Sequence, residues 1–272
     1  MTHSRPRIRE LLEEGNLAPR RDRGQNFVAD ANTVRRIAHL AGVGPGDHVV
    51  EIGAGLGSLT LALAETGARL TAVEVDPGLV TALRGIVTGI PGVDVLEADA
   101  MTLEWEAVIG SGSAVLVANL PYNIATPLVA DVLDEVPQVT RMLVMVQREV
   151  AERFVAEPRT PAYGAVTVKI AFWAEARIVG LVPATVFVPR PKVDSALVEI
   201  VRRQPPAIDP AVVFPLVRLA FNKRRKMLRR SLAGVVAPEH FVAAGIEPTV
   251  RPEELDVTAW CALARAVGRG TQ

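Results

Sequence analysis

Apolar and polar positions along this chain settle into a repeating order from about residue 47 onward. "HVVEIG" (48–53) is a short apolar run of the kind a strand buried on both faces requires. "AGLGSLTLALAETG" follows, where glycines open a stretch of helical periodicity. The pair then repeats: "RLTAVEVD" predicts a strand and "PGLVTALRGIV" a helix, with Pro77 suited to a first helical turn. "VDVLEAD", "AVLVAN" and "TRMLVMVQ" supply three more strands, and "ATPLVADVLDEV" and "REVAERFVAE" two more helices. Strands alternating with helices predict an α/β fold, a parallel sheet covered on both faces.

The pattern changes after "VDSALVEIVRR". "RRQPPAIDP" (202–210) is proline-rich and reads as a linker, and beyond it the periodicity is helical to the end. The expected division is a first domain of residues 1–203 and a small helical domain of residues 204–272. No internal repeat is visible.

Composition narrows the class. The chain has 272 residues, 49% hydrophobic and 22% charged, as a globular protein does. No apolar run approaches the roughly 18 residues of a membrane span, and the N-terminal residues lack the apolar stretch of a signal peptide. Cys261 is the only cysteine, so no internal disulfide forms and a cytoplasmic location is expected. The four histidines are scattered without ligand spacing, and no metal site is expected. The net charge of zero hides an asymmetry: residues 202–230 hold nine basic side chains against Asp209 alone. Such a segment suits a polyanionic partner, or is simply a solvated face.

Candidate chemistry gathers at the strand ends. Gly53, Gly55 and Gly57 in "EIGAGLG" let a backbone approach a ligand closely, but their G-x-G-x-G spacing is not the dinucleotide G-x-G-x-x-G. Glu74 ends the second strand, where a carboxylate accepts from both ribose hydroxyls of a nucleoside, and Asp99 ends the third, placed for an adenine amino group. Glycine, Glu and Asp on successive strand ends read as an S-adenosylmethionine pocket. Asn119 ends the fourth strand, followed by Leu120, Pro121 and Tyr122. The lone pair of an exocyclic amine on adenine is delocalised into the ring. Two acceptors for its N–H groups, the Asn119 side-chain oxygen and the Leu120 carbonyl, favour pyramidal, nucleophilic nitrogen. Pro121 stiffens the turn and Tyr122 offers a stacking face for an extruded base.

"NLPY" matches the (D/N)-x-P-(Y/F) signature of N6-adenine methyltransferases. Together with "GQNFVAD" (24–30), "VMVQREVAERF" (144–154), "FVPRPKVDSALV" (187–198) and "FNKRRKMLRRSL" (221–232), it resembles the KsgA (RsmA) family of 16S ribosomal RNA adenine dimethyltransferases. The resemblance runs from about residue 20 to 232. It implies a class I S-adenosylmethionine-dependent methyltransferase fold, with a mostly parallel seven-stranded sheet and a small helical C-terminal domain. It further implies dimethylation of N6 on two adjacent adenosines near the 3′ end of 16S RNA, within the small ribosomal subunit. Asn26 and the Val28 backbone would cover the cofactor beside Gly53, Glu74, Asp99 and Asn119, and Phe187 would face the target adenine opposite Tyr122. The expected enzyme is a monomer with no DNA or membrane partner. An Erm-type 23S RNA methyltransferase shares the turn and the "F-x-P-x-P-x-V-x-S" segment; a mainly non-catalytic assembly factor is the rival of another class.

The basic segment is expected to dock RNA through Lys223, Arg224, Lys226 and Arg230. On a continuous helix over 221–232, Phe221, Leu228 and Leu232 share one stripe facing a core. Lys223, Lys226 and Arg230 then face away, and Arg225 lies beside the stripe as a packing residue.

Overall fold

All five apolar runs form strands in the computed structural model, which describes residues 2–20 and 24–269. The chain begins with α1 (Arg5–Glu14), β1 (Phe27–Val28), α2 (Ala31–Ala41), β2 (His48–Ile52) and α3 (Ser58–Ala64). Then come β3 (Arg69–Glu74), α4 (Pro77–Val87), β4 (Val93–Glu97), α5 (Trp105–Ile109), β5 (Ala114–Asn119), α6 (Ala125–Glu135) and β6 (Val139–Gln147). Next are α7 (Arg148–Phe154), α8 (Ala165–Trp173), β7 (Ala174–Val182), β8 (Phe187–Val188) and β9 (Ser195–Arg202). Helices α9 (Pro210–Phe221), α10 (Leu228–Ser231), α11 (Pro238–Ala244) and α12 (Val257–Arg269) complete the chain.

Seven strands make one sheet in the order β4-β3-β2-β5-β6-β9-β7. β2 to β6 pair in parallel, and β9 runs antiparallel to β6. The chain steps outward through β3 and β4, then returns to place β5 on the other side of β2. At that reversal the crossover connections diverge, and the carboxyl ends of β2 and β5 open a crevice. The pattern of β7 predicts no strand because most of its residues are exposed or half-buried, so no clean alternation marks it. β1 and β8 form a separate two-stranded pair, with Val28 opposite Phe187.

Local chemistry sets the helix starts. Asp30 and Asp76 cap α2 and α4 through side-chain acceptors, and Pro77 opens α4. On α1, Ile8, Leu11 and Leu12 pack with Phe27, Leu56 and Leu79, and the buried His3 donates through Nε2 to the Leu56 carbonyl at 2.9 Å. Burial lowers the pKa of His3.

The division of the chain differs from a single boundary near 203. Residues 1–151 and 177–202 form one compact unit; residues 152–176 and 203–272 form the other. The segment 152–176 joins the helical unit because Tyr163, Val168 and Phe172, all buried, pack into one core with Leu216, Phe241 and Trp260. Tyr163 also donates its hydroxyl to the Leu255 carbonyl at 2.7 Å. The continuous helix expected over 221–232 is broken: α9 ends at Phe221, turns occupy 222–226, and the short α10 begins at Leu228.

Candidate active site

The loop between β2 and α3 is bent by its glycines. Gly53, Gly55 and Gly57 take φ of 73°, 57° and 80°, a region L side chains rarely adopt. At Gly55 space is short as well, since a Cβ would lie 3.0 Å from the Phe27 ring. The Glu74 carboxylate, buried at the end of β3, ties this loop down. One oxygen accepts the Gly55 N–H at 2.9 Å; the other accepts the N–H groups of Val75 and Asp76, each at 3.0 Å.

One cavity at the crevice is lined by Asn26, Val28, Gly53, Gly55, Glu74, Asp99 and Asn119 together. Asp99 is exposed, and one of its oxygens accepts the Met101 N–H at 2.9 Å. Two lining residues were not singled out from the sequence. Val75 stands 44% exposed between Glu74 and Asp76, an apolar surface for a flat ligand. Glu51 lies on β2 itself, 1% exposed, with its Oε2 unpartnered. Burial raises the Glu51 pKa from 4.5 to about 8, with Glu74 adding to the rise. Thr60 opposes that rise from nearby, but its hydroxyl falls outside hydrogen-bond geometry, and burial dominates. Its only sequence signal was its place just before the glycine run.

Asn119 is oriented by a bond from another part of the unit. Its Nδ2 donates to the Asn26 carbonyl at 2.9 Å, so the amide oxygen is the end left to accept. Leu120 is buried and donates its N–H to the Met145 carbonyl, which fixes the plane of the Asn119–Leu120 peptide. The Pro121 carbonyl accepts from Ile124 and Ala125 and starts α6. Tyr122 is half-buried, and its hydroxyl lies 3.2 Å from the Oγ of the fully buried Ser195. Burial raises the Tyr122 pKa, so the phenol stays protonated.

Phe187, expected to face the target adenine, is placed in the core. Its ring is 1% exposed within the main core, with Val28, Ile37 and Leu197, and it lines neither the cofactor-side cavity nor the pocket beside Tyr122.

In the helical unit Lys223, Lys226 and Arg230 are exposed. Arg224 is not part of that outward set: its guanidinium pairs with Glu253 and donates to the Pro161 carbonyl at 2.9 Å. Arg225, expected to pack, is exposed. The turns after Phe221 break the helical phase between it and Leu228. Phe221, Leu228 and Leu232 nevertheless meet in the unit's core.

Comparison with known proteins converges on one family. Residues 16–267 match the family of ribosomal RNA adenine dimethylases. The "Ribosomal RNA small subunit methyltransferase A" of Cutibacterium acnes is 49% identical over 267 residues, covering 92% of this chain and 89% of that protein. The crystal structure of the 23S rRNA methyltransferase ErmE is similar with a TM-score of 0.69 and 29% identity, covering 89% of this chain and all of that one. A dimethyladenosine transferase from Plasmodium falciparum shares the fold with a TM-score of 0.74 at 22% identity, covering 86% of this chain and 94% of that one.

Proposed function

The chain belongs to the ribosomal RNA adenine dimethylase family, and we propose that it dimethylates N6 of two adjacent adenosines near the 3′ end of 16S RNA in the small ribosomal subunit. The observation that carries the chemistry is the Asn119 amide, held through its nitrogen by Asn26 so that its oxygen is presented as an acceptor. With the Leu120 carbonyl it offers two acceptors to the two N–H groups of an adenine amine. Tyr122 supplies the stacking face for the base.

The residues of the crevice fit S-adenosylmethionine. Glu74 and Asp99 line a cavity with no basic side chain among its described lining residues, which suits a cation and repels a phosphate; Glu51, kept protonated by burial, lines it as a neutral carboxyl group. The glycine loop keeps its tight path beside the cavity because a Cβ at Gly55 would press on Phe27 and one at Gly57 on Leu83. When bound, this cofactor supplies an electrophilic sulfonium methyl group. Glu74 accepts from the ribose hydroxyls while the backbone bonds it already makes keep it fixed. Asn119 and Leu120 orient the amine lone pair, and water takes the proton released after transfer. No strong base is required, so the protein contributes position and preorganised polarity.

The small-subunit acceptor is favoured over the large one by the closer likeness, 49% identity to a small-subunit enzyme against 29% to ErmE. Purified subunits incubated with tritiated S-adenosylmethionine test this. Label in 16S RNA is expected. Label in 23S RNA instead would move the protein to the Erm-type activity, and label in neither would reject an enzymatic role in favour of an assembly factor.

A further inference from the structure

Beside the acidic cavity lies a second pocket of opposite sign. The two share Gly24, Gln25 and Asn26 as a partition. The second is completed by Tyr122, Asn123, Gln147 and residues 189–193, and among the described residues the only charged side chains lining it are Arg190 and Lys192. Both cations are exposed, and among the described residues neither joins an ion pair. The carboxylate two residues on, Asp194, accepts the Ala184 N–H at 2.8 Å instead of neutralising them. The loop reads Pro189-Arg190-Pro191-Lys192. A proline before each cation fixes backbone φ, so less entropy is lost when the loop engages a ligand.

We propose that Arg190 and Lys192 bind the phosphodiesters flanking the adenosine that stacks on Tyr122, making this pocket the seat of a single RNA strand. The chemistry matches on each side: an aromatic face for the base, cations for its neighbouring phosphates, and amides of Asn123 and Gln147 among the lining. The sign change across the partition sorts the two ligands, the cation on one side and the polyanion on the other. These two cations lie in the same unit as Asn119, apart from the basic segment after residue 221. The inference rests on the reading that the acceptor is RNA.

The test compares wild type with the double variant Arg190→Gln/Lys192→Gln. A labelled single-stranded oligoribonucleotide containing two adjacent adenosines is titrated at several salt concentrations, and cofactor affinity is measured by calorimetry. The variant should bind the oligonucleotide several-fold more weakly at low salt, with a log affinity–log salt slope shallower by roughly 1.4, about 0.7 per lost contact on a single strand. Cofactor affinity should be unchanged. The charge-keeping variant Arg190→Lys/Lys192→Arg should retain the slope, which separates lost contacts from a misfolded loop. An unchanged slope in the Gln variant, or an equal loss in the charge-keeping one, overturns the proposal. Methyl transfer by the wild type to 16S or 23S RNA is scored in parallel. Label in 23S RNA with the expected slope change would sink the 16S reading and leave the phosphate contacts standing.

Discussion

Asn119 acts through one atom, because its amide nitrogen is occupied by Asn26. Asn119→Ala should therefore lower single-turnover methyl transfer by roughly 100-fold or more, as loss of one preorganised hydrogen bond at a transition state does. Affinity for RNA should barely move, and near-normal transfer would reject the role. Tyr122 depends in turn on Ser195, whose hydroxyl meets its phenol. Tyr122→Phe and Ser195→Ala each remove one end of the same bond, so each should raise KM by about 5-fold, the worth of roughly 1 kcal/mol. The double variant should be no worse than either single one; additive losses in the cycle would show that the two act separately. Glu51 gives a pH signature. The folded protein keeps a proton on it up to about pH 8 that the unfolded chain releases near 4.5, so stability falls as pH rises between those values. Glu51→Gln removes that slope, and urea unfolding at roughly pH 6 and pH 8.5 should show wild type losing more than the variant. Parallel losses would count against a buried, protonated Glu51. Gly53, Glu74, Asp99 and Asn119 were legible in the sequence because each closes a strand at one edge of a parallel sheet. Glu51 was not, because a strand buried on both faces gives no periodic sign of which side chain meets a cavity.

At the scale of elements, apolar runs and glycine turns carried the parallel half of the sheet, since β2, β3, β5 and β6 are mostly buried and leave continuous apolar stretches, while the half-exposed edge strand β4 was marked by its place in the alternation. β7 escaped because an edge strand with half-exposed positions looks like a loop. The segment after Phe221 shows a different limit. Which residues are apolar told which side chains enter the core, but a helical wheel assigns directions only while the helix continues, and here it stops. Arg224 thereby took the structural place given to Arg225. Arg224→Gln should cost about 1 kcal/mol of stability, discounted because its side chain is partly exposed, and leave salt dependence alone. Replacing Lys223, Lys226 and Arg230 together with Gln should do the reverse, making the salt slope of small-subunit binding shallower by roughly 0.7–0.9 per contact. If the slope held in the triple variant, these cations would be a solvated face only.

For the whole molecule the informative feature is that the chain passes between its two units three times, near residues 151, 176 and 202. A chain ended at Arg203 would keep Tyr163, Val168 and Phe172 but lose Leu216, Phe241 and Trp260, against which they are buried. Such a fragment should bind a dye for exposed apolar surface and aggregate, whereas the full chain should do neither. A clean, monomeric fragment would show that residues 152–176 do not need the helical unit. The proline-rich linker marked the last crossing, yet the first two lie where no composition change announces them, near α7 and inside β7.

That interleaving also sets an order in time. β9 pairs with β6 and lies between it and β7, although it is the last strand of the sheet to leave a ribosome during translation. Until residues 195–202 have emerged, β6 offers an unpaired backbone edge, and the stretch 152–176 waits for a core that is still being synthesised. Newborn chains of this protein therefore pass through a stage at which both units are unfinished together, and a stall between about residues 150 and 195 would be the hazardous place to pause.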